Sequence, residues 1–141
     1  MSSPADRYKH FLETLSPDRL SDLDSVVTAD VHFKDPFNDV RGVEAMRDVF
    51  AHMYRELGEL RFQVRRLQGN SDECLMEWRF DATLRGKPWH FYGMSVLEFA
   101  ADGRVCSHID HWDAAGAFYE RLPLIGWLLS RIRRKIGVRH R

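Results

Sequence analysis

Early in the chain the apolar residues recur at helical spacing, and after Gly58 they switch to strand alternation. Tyr8, Phe11, Leu12 and Leu15 stand at i, i+3, i+4 and i+7, which predicts a helix over residues 5–15 with one buried face. Ser16-Pro17 restarts the chain, since Ser caps a helix and Pro suits its first position. The second helix carries Leu20, Leu23 and Val27 and is expected to stop near Ala29-Asp30. Val31 to Asp35 reads as a short strand ended by Pro36, and Asn38, Asp39 and Gly42 as a turn. A third helix follows from Val43 to Leu57, with Met46, Val49, Phe50, Met53 and Leu57 on one face.

Phe62 and Val64 then alternate with polar residues. Glu73 to Arg85 is the clearest strand. Cys74, Met76, Trp78, Phe80, Ala82 and Leu84 fall on one face and mostly polar residues on the other, as in a half-buried antiparallel strand. Arg85-Gly86-Lys87-Pro88 turns the chain, Trp89 to Ala100 returns, Ala101-Asp102-Gly103 turns it again, and Arg104 to Asp113 is the last strand. Parity carries across a ladder. The face that buries Trp78 therefore also holds Trp89, Phe91, Gly93, Ser95, Leu97 and Phe99, and after them Cys106, His108, Asp110 and Trp112. This register sets Ser95 opposite His108 and Gly93 opposite Asp110. Three helices followed by a meander that closes on them predict an α+β domain with a curved antiparallel sheet.

At 141 residues the chain fits one folded domain, read here as residues 1–120 followed by a basic amphipathic helix and tail at 121–141. Charge sharpens that division. All 21 acidic residues lie at or before Glu120 with 14 of the 21 basic ones, so this part carries 14 − 21 = −7, while residues 121–141 carry +7. An acidic body argues against nucleic acid spread over a broad surface. No apolar run reaches the roughly 20 residues of a membrane span. The opening Met-Ser-Ser-Pro-Ala-Asp lacks the basic and apolar parts of a secretory signal, so a cytoplasmic location is expected. Only two cysteines occur, which excludes a disulfide scaffold. Cys74 and Cys106 sit on strands separated by another strand and are expected to be free thiols.

His108 and Asp110 carry the chemical interest, because both fall on the inward face two residues apart. Buried ionisable groups are costly unless they are paired or used. A self-satisfied His–Asp pair explains them without any chemistry. Ser95 beside them, and Gly93 leaving space next to Asp110, favour a ligand cavity. Asp35 stands before Pro36 and near Asn38 and Asp39, which is good turn chemistry. His108 and His111, at i and i+3, point to opposite faces of a strand, and no metal site is expected. There is no Gly-rich phosphate loop and no Gly-x-Ser-x-Gly elbow.

Three stretches, Val31-His-Phe-Lys-Asp-Pro-Phe37, Gly42-Val-Glu-Ala-Met46, and Phe99-Ala-Ala-Asp-Gly-Arg-Val105 followed by His111-Trp112, carry a family likeness. In this order the chain resembles the nuclear transport factor 2-like superfamily over residues 5–118, and more closely its SnoaL-like and ketosteroid isomerase-like branch. The resemblance implies a cone-shaped curved sheet on N-terminal helices, enclosing an apolar cavity with a few polar groups. It places the isomerase base at Asp35. The isomerase oxyanion hole is a Tyr with a protonated Asp. Those positions fall on Phe11 and Ser95, and that of a supporting Tyr on Phe50, so the oxyanion hole is not retained. Tyr8 lies one helical turn from Phe11 on the same face.

The function expected is a small-molecule pocket resembling those of ketosteroid isomerases and polyketide cyclases, moving a proton beside a carbonyl of an apolar substrate. Asp35 or Asp110 would be the base, and His108 with Ser95 would steady the oxyanion. Phe11, Phe50, Tyr54, Met76, Trp78, Phe80, Phe91 and Trp112 would line the pocket, and no cofactor is required. The alternative is a non-catalytic ligand-binding or protein-interaction module of the same fold. Tyr92, Met94, Val96, Ile109 and Leu75 on the outer face suggest a homodimer. The helix at 124–136, with Ile125, Leu128, Leu129, Ile132 and Ile136 beside Arg131, Arg133, Arg134 and Lys135, reads as packed on its own domain or as resting on a membrane surface. The packed helix is the expectation.

Overall fold

The computed structural model describes residues 2–119 and 122–137. The chain divides into two compact units, residues 1–111 and 112–141.

The first unit opens with α1, Pro4–Glu13. Ser3 caps it in a reciprocal box, its hydroxyl accepting from the Asp6 N–H at 3.1 Å while Asp6 accepts from the Ser3 N–H. Tyr8, Phe11 and Leu12 form its buried face. The next segment is a 3-10 helix, Pro17–Ser25, and not the longer α-helix expected. Its buried pair Leu20 and Leu23 is spaced by three, one turn of the tighter helix. The β-branched run Val26-Val27-Thr28 then favours extension. Strand β1 accordingly starts early, spanning Val27–Lys34. Residues read as a turn form the short strand β2, Asp39–Arg41, paired back on β1. Gly42, at φ +97°, leads into α2, Val43–Glu56.

Four strands follow: β3 Gly58–Gly69, β4 Glu73–Leu84, β5 Lys87–Phe99 and β6 Val105–His111. They join β1 and β2 in one curved, unclosed six-stranded sheet, ordered β2-β1-β6-β5-β4-β3. All neighbouring pairs are antiparallel except β1 with β6, which run parallel. The α+β architecture is that expected, with the addition that β1 extends the meander.

The inward parity holds along β4 and β5. Cys74, Met76, Trp78, Phe80 and Ala82 are buried, and so are Trp89, Gly93, Ser95, Leu97 and Phe99. Register against β6 differs by two residues from that expected: Ser95 pairs with Asp110 and Leu97 with His108. The difference arises in two places: the turn sets Phe99 opposite Val105, one residue beyond the expected Arg104, and a register shift between Glu98↔Ser107 and Phe99↔Val105 leaves Cys106 as an extra residue. Val105 therefore points into the core, and Cys106 is only half-buried. His108 and Asp110 keep their inward face because a two-residue slip preserves parity. Both cysteines are free, on β4 and β6 with β5 between them. On the outer face Leu75, Tyr92 and Met94 are exposed.

Gly93 does not leave space for a ligand. A Cβ there would lie 2.4, 2.6 and 3.0 Å from three carbons of the Trp78 ring, its partner across the ladder. The indole already fills the gap.

The second unit contains α3, Ala114–Ala117, capped by Asp113 on the Gly116 N–H at 2.9 Å, and α4, Pro123–Ile136.

Candidate functional site

Five side chains from four elements meet in a buried polar chain. Tyr8, on the buried face of α1, reaches His108 on β6, with its hydroxyl 2.6 Å from Nδ1. The other ring nitrogen, Nε2, lies 2.6 Å from Asp110 Oδ1. Ser95 on β5, directly opposite Asp110, donates its hydroxyl to the same oxygen at 2.5 Å. Trp78 on β4 donates its indole N–H to Ser95 Oγ at 2.8 Å. Phe33 packs against the His108 ring at 5.0 Å between centroids.

Donor and acceptor capacities assign the protons. The Trp78 indole can only donate, so Ser95 accepts from it and spends its own hydrogen on Asp110. An ionised Asp110 can only accept, so His108 Nε2 carries a hydrogen. When the imidazole carries only that hydrogen, Nδ1 is an acceptor, and the Tyr8 hydroxyl donates to it. The chain thus converges on Asp110: Tyr8 bonds to His108 and Trp78 to Ser95, and Asp110 Oδ1 accepts from both His108 and Ser95. Asp110 Oδ2 has no hydrogen-bond partner among the described residues.

Burial pushes the Tyr8 phenol well above its ordinary range, and the Asp110 charge adds to the rise. The native state therefore holds this proton where the unfolded chain would lose it. The resulting stability is complete below the ordinary phenol value of about 10 and falls as pH rises beyond it. Tyr8→Phe is expected to cost about 1–3 kcal/mol by leaving His108 Nδ1 buried and unpaired, and to flatten the alkaline limb. Urea melts of both proteins across that pH range check this. An unchanged neutral stability would show that the hydroxyl does not hold the imidazole.

Asp110, His108 and Ser95 form the polar end of a cavity whose other walls are Leu12, Phe50, Phe62, Val64, Met76 and Trp78. Its free space is about 20 Å³, enough for roughly one water molecule. Of the residues expected from sequence, Asp110, His108, Ser95, Phe50, Met76 and Trp78 line this cavity. Phe80 and Phe91 stack beyond Trp78 in an aromatic cluster, at 5.0 Å from each other. Phe11 is buried under the Arg19 guanidinium. Tyr54 is half-buried, and burial pushes its phenol up to about 12. Trp112 belongs to the second unit.

Asp35 is not among the lining residues. Its Oδ1 accepts from the Phe37 and Asn38 backbone N–H groups at 2.8 and 2.7 Å and from the Asn38 side chain. This is the turn arrangement that Pro36 and Asn38 suggest. Burial raises its pKa, those hydrogen bonds oppose the rise, and the Asp110 charge adds to it. His108 and Ser95, expected to steady an oxyanion, are already committed to Tyr8 and Asp110. Sequence reasoning did not assign Tyr8, Leu12, Phe62 or Val64 to the site. Tyr8 carried a signal, since a Tyr within a buried helical stripe needs a partner for its hydroxyl. Among the described residues no three His, Cys, Asp or Glu side chains gather as a metal cage.

Comparison with known proteins places these features. A family model described as a SnoaL-like domain matches residues 8–108. No curated protein matches the sequence. Among solved structures, a SnoaL-like polyketide cyclase from Agrobacterium tumefaciens is similar at 19% identity and TM-score 0.70, covering 97% of this chain and 100% of that one. An LEH-like epoxide hydrolase from M. tuberculosis is similar at 16% identity and TM-score 0.65, covering 94% and 92%. An NTF2-like protein of unknown function from Exiguobacterium sp. is similar at 15% identity and TM-score 0.67, covering 79% and 98%. At these identities the likeness is one of fold.

Proposed function

The chain belongs to the SnoaL-like domain family, and from that premise we propose that Asp110 is the base of a cofactor-independent proton transfer on a small apolar carbonyl compound. The observation that carries this is the unequal treatment of the Asp110 oxygens. Oδ1 is anchored by His108 and Ser95, Oδ2 has no hydrogen-bond partner among the described residues, and Asp110 lines the polar end of an apolar cavity. In the reaction, the carboxylate takes a proton from the carbon beside the carbonyl, and that C–H electron pair becomes the enolate. Return of the proton to another carbon gives isomerisation. Attack of the enolate carbon on a second carbonyl breaks that C=O π bond, and the alkoxide formed takes the proton back from Asp110, an aldol-type cyclisation of the class to which the name of the A. tumefaciens neighbour points.

Because the nearby donors are already engaged, the substrate class that fits brings its own acidity. A carbon between two carbonyls delocalises the charge without a dedicated oxyanion hole. The Tyr8–His108 arm serves to hold the carboxylate in place. Room for roughly one water means that the lining must open to admit a substrate, and Phe62 and Val64 are its half-buried apolar members.

A non-catalytic binding module is the second reading, favoured by a polar chain in which Tyr8, Trp78, Ser95, His108 and Asp110 Oδ1 are hydrogen-bonded without any ligand. Hydrogen exchange of 1,3-dicarbonyl compounds in heavy water separates the two. Wild-type protein is expected to accelerate exchange and Asp110→Asn to lose most of that rate. Binding of apolar ligands with no exchange, equal in both proteins, would establish the second reading instead.

A further inference from the structure

Helix α4 presents an apolar stripe to solvent. Ile125, Leu128 and Ile132 are 55%, 51% and 46% exposed, and Leu124, Trp127 and Ile136 are exposed as well. Leu124, Leu128 and Ile132 follow one another at i, i+4 and i+8. With Ile125 and Ile136 beside them they occupy an arc of about 120° of the helix circumference. Arg131 borders that arc on one side and Arg133 lies beyond its other edge, while Lys135 projects from within it next to Leu124, and all three are exposed. The Arg131 guanidinium lies 5.4 Å from the centroid of the Trp127 ring. No acidic residue occurs between Arg121 and Arg141, against seven Arg or Lys.

We propose that α4 is an anchor that lies along the surface of an anionic membrane. Cations in the last turn suit the helix C-terminus, but that explains only the charge. It leaves unexplained why six large apolar side chains face water on the same helix. A lipid interface accounts for both. The stripe enters the boundary between headgroups and acyl chains, the long basic side chains extend to the phosphates beside it, and a Trp suits that depth. Nucleic acid would meet the charge but not the stripe. A purely apolar partner would meet the stripe but not the uniform sign of the charge. The helix has 14 residues, about 21 Å in length, which is short of the roughly 30 Å hydrocarbon core. Among the described residues no helix is long and apolar enough to cross a membrane. The anchor therefore lies in the interface plane.

Sedimentation of the full chain with vesicles of phosphatidylcholine, alone or with phosphatidylserine, tests this at low and high salt. Binding is expected only with phosphatidylserine and is expected to weaken as salt screens the charges. Each basic residue near such a surface contributes about a fivefold gain in partition. Arg131→Gln/Arg134→Gln/Lys135→Gln is therefore expected to bind roughly a hundredfold more weakly. Leu128→Glu/Ile132→Glu is expected to lose binding while keeping the thermal melt of the domain. A blue shift of tryptophan emission on binding is expected in wild type and not in Trp127→Phe. Equal binding to pure phosphatidylcholine, or no binding by the folded full chain at low salt, overturns the proposal. So does a dimer in the ultracentrifuge that Leu128→Glu dissociates, in a protein that ignores vesicles.

Discussion

Asp110→Asn is expected to lower α-proton exchange by about 10²–10⁴, the usual contribution of a general base. The substitution is nearly isosteric. Its carbonyl oxygen can still accept from His108 and Ser95, as Asp110 Oδ1 does at 2.6 and 2.5 Å, so the polar chain survives while the base is lost. Asp35→Asn is the informative contrast. That carboxylate is occupied by the Phe37 and Asn38 N–H groups and lies outside the cavity lining. Its replacement is expected to loosen the turn and leave exchange within a fewfold of wild type. The pH dependence also separates the two. The fold favours the protonated form of Asp35, because its pKa is raised chiefly by burial. That contribution to stability is present below the ordinary carboxylate value and is lost as pH rises through the raised one. Asp35→Asn should remove this feature from an acid-side stability curve without moving the exchange profile. If Asp35→Asn instead abolishes exchange and Asp110→Asn does not, the base has been assigned to the wrong carboxylate.

Gly93→Ala is expected to destabilise the protein by about 1–3 kcal/mol, the usual cost of forcing an extra carbon into a packed core. The new Cβ would stand 2.4–3.0 Å from the Trp78 ring. These separations are too short for carbon contacts, so the indole must move. Its N–H is bonded to Ser95, which in turn is bonded to Asp110, so the displacement should reach the candidate base. Thermal melts and tryptophan emission check both effects, with a midpoint lowered by several degrees and a changed spectrum expected. An unaltered melt would mean that Trp78 has room to swing aside and that its close fit on Gly93 plays no part in holding the site.

Ligand-site and sheet features were legible to different degrees for physical reasons. Alternation along residues 74–84 is a property of the pleat, so the buried face of β4, and by parity that of β5, could be read directly. His108 and Asp110 could be placed on the inward face because the turn and the extra residue at Cys106 each shift the register by one, and together they leave parity unchanged. Their partners could not be read this way. The turn and the extra residue together move Asp110 opposite Ser95, and a local pattern contains no term for a bulge. The resemblance that pointed to Asp35 rested on a strand end followed by Pro, and that geometry serves a turn equally well.

The sequence by itself determined the alternating strands, the amphipathic first and third helices, the α+β class and the basic, apolar-striped tail helix. Each follows from spacings between residues close in the chain. Only the tertiary structure decided that β1 lies parallel to β6, that Tyr8 meets His108 across 100 residues of sequence, and that Trp78 rather than a ligand fills the space over Gly93. Those contacts are set by how the whole sheet and its helices close on one core. In that closure each buried polar atom must find a partner and each gap must be filled, conditions that no local window of sequence expresses.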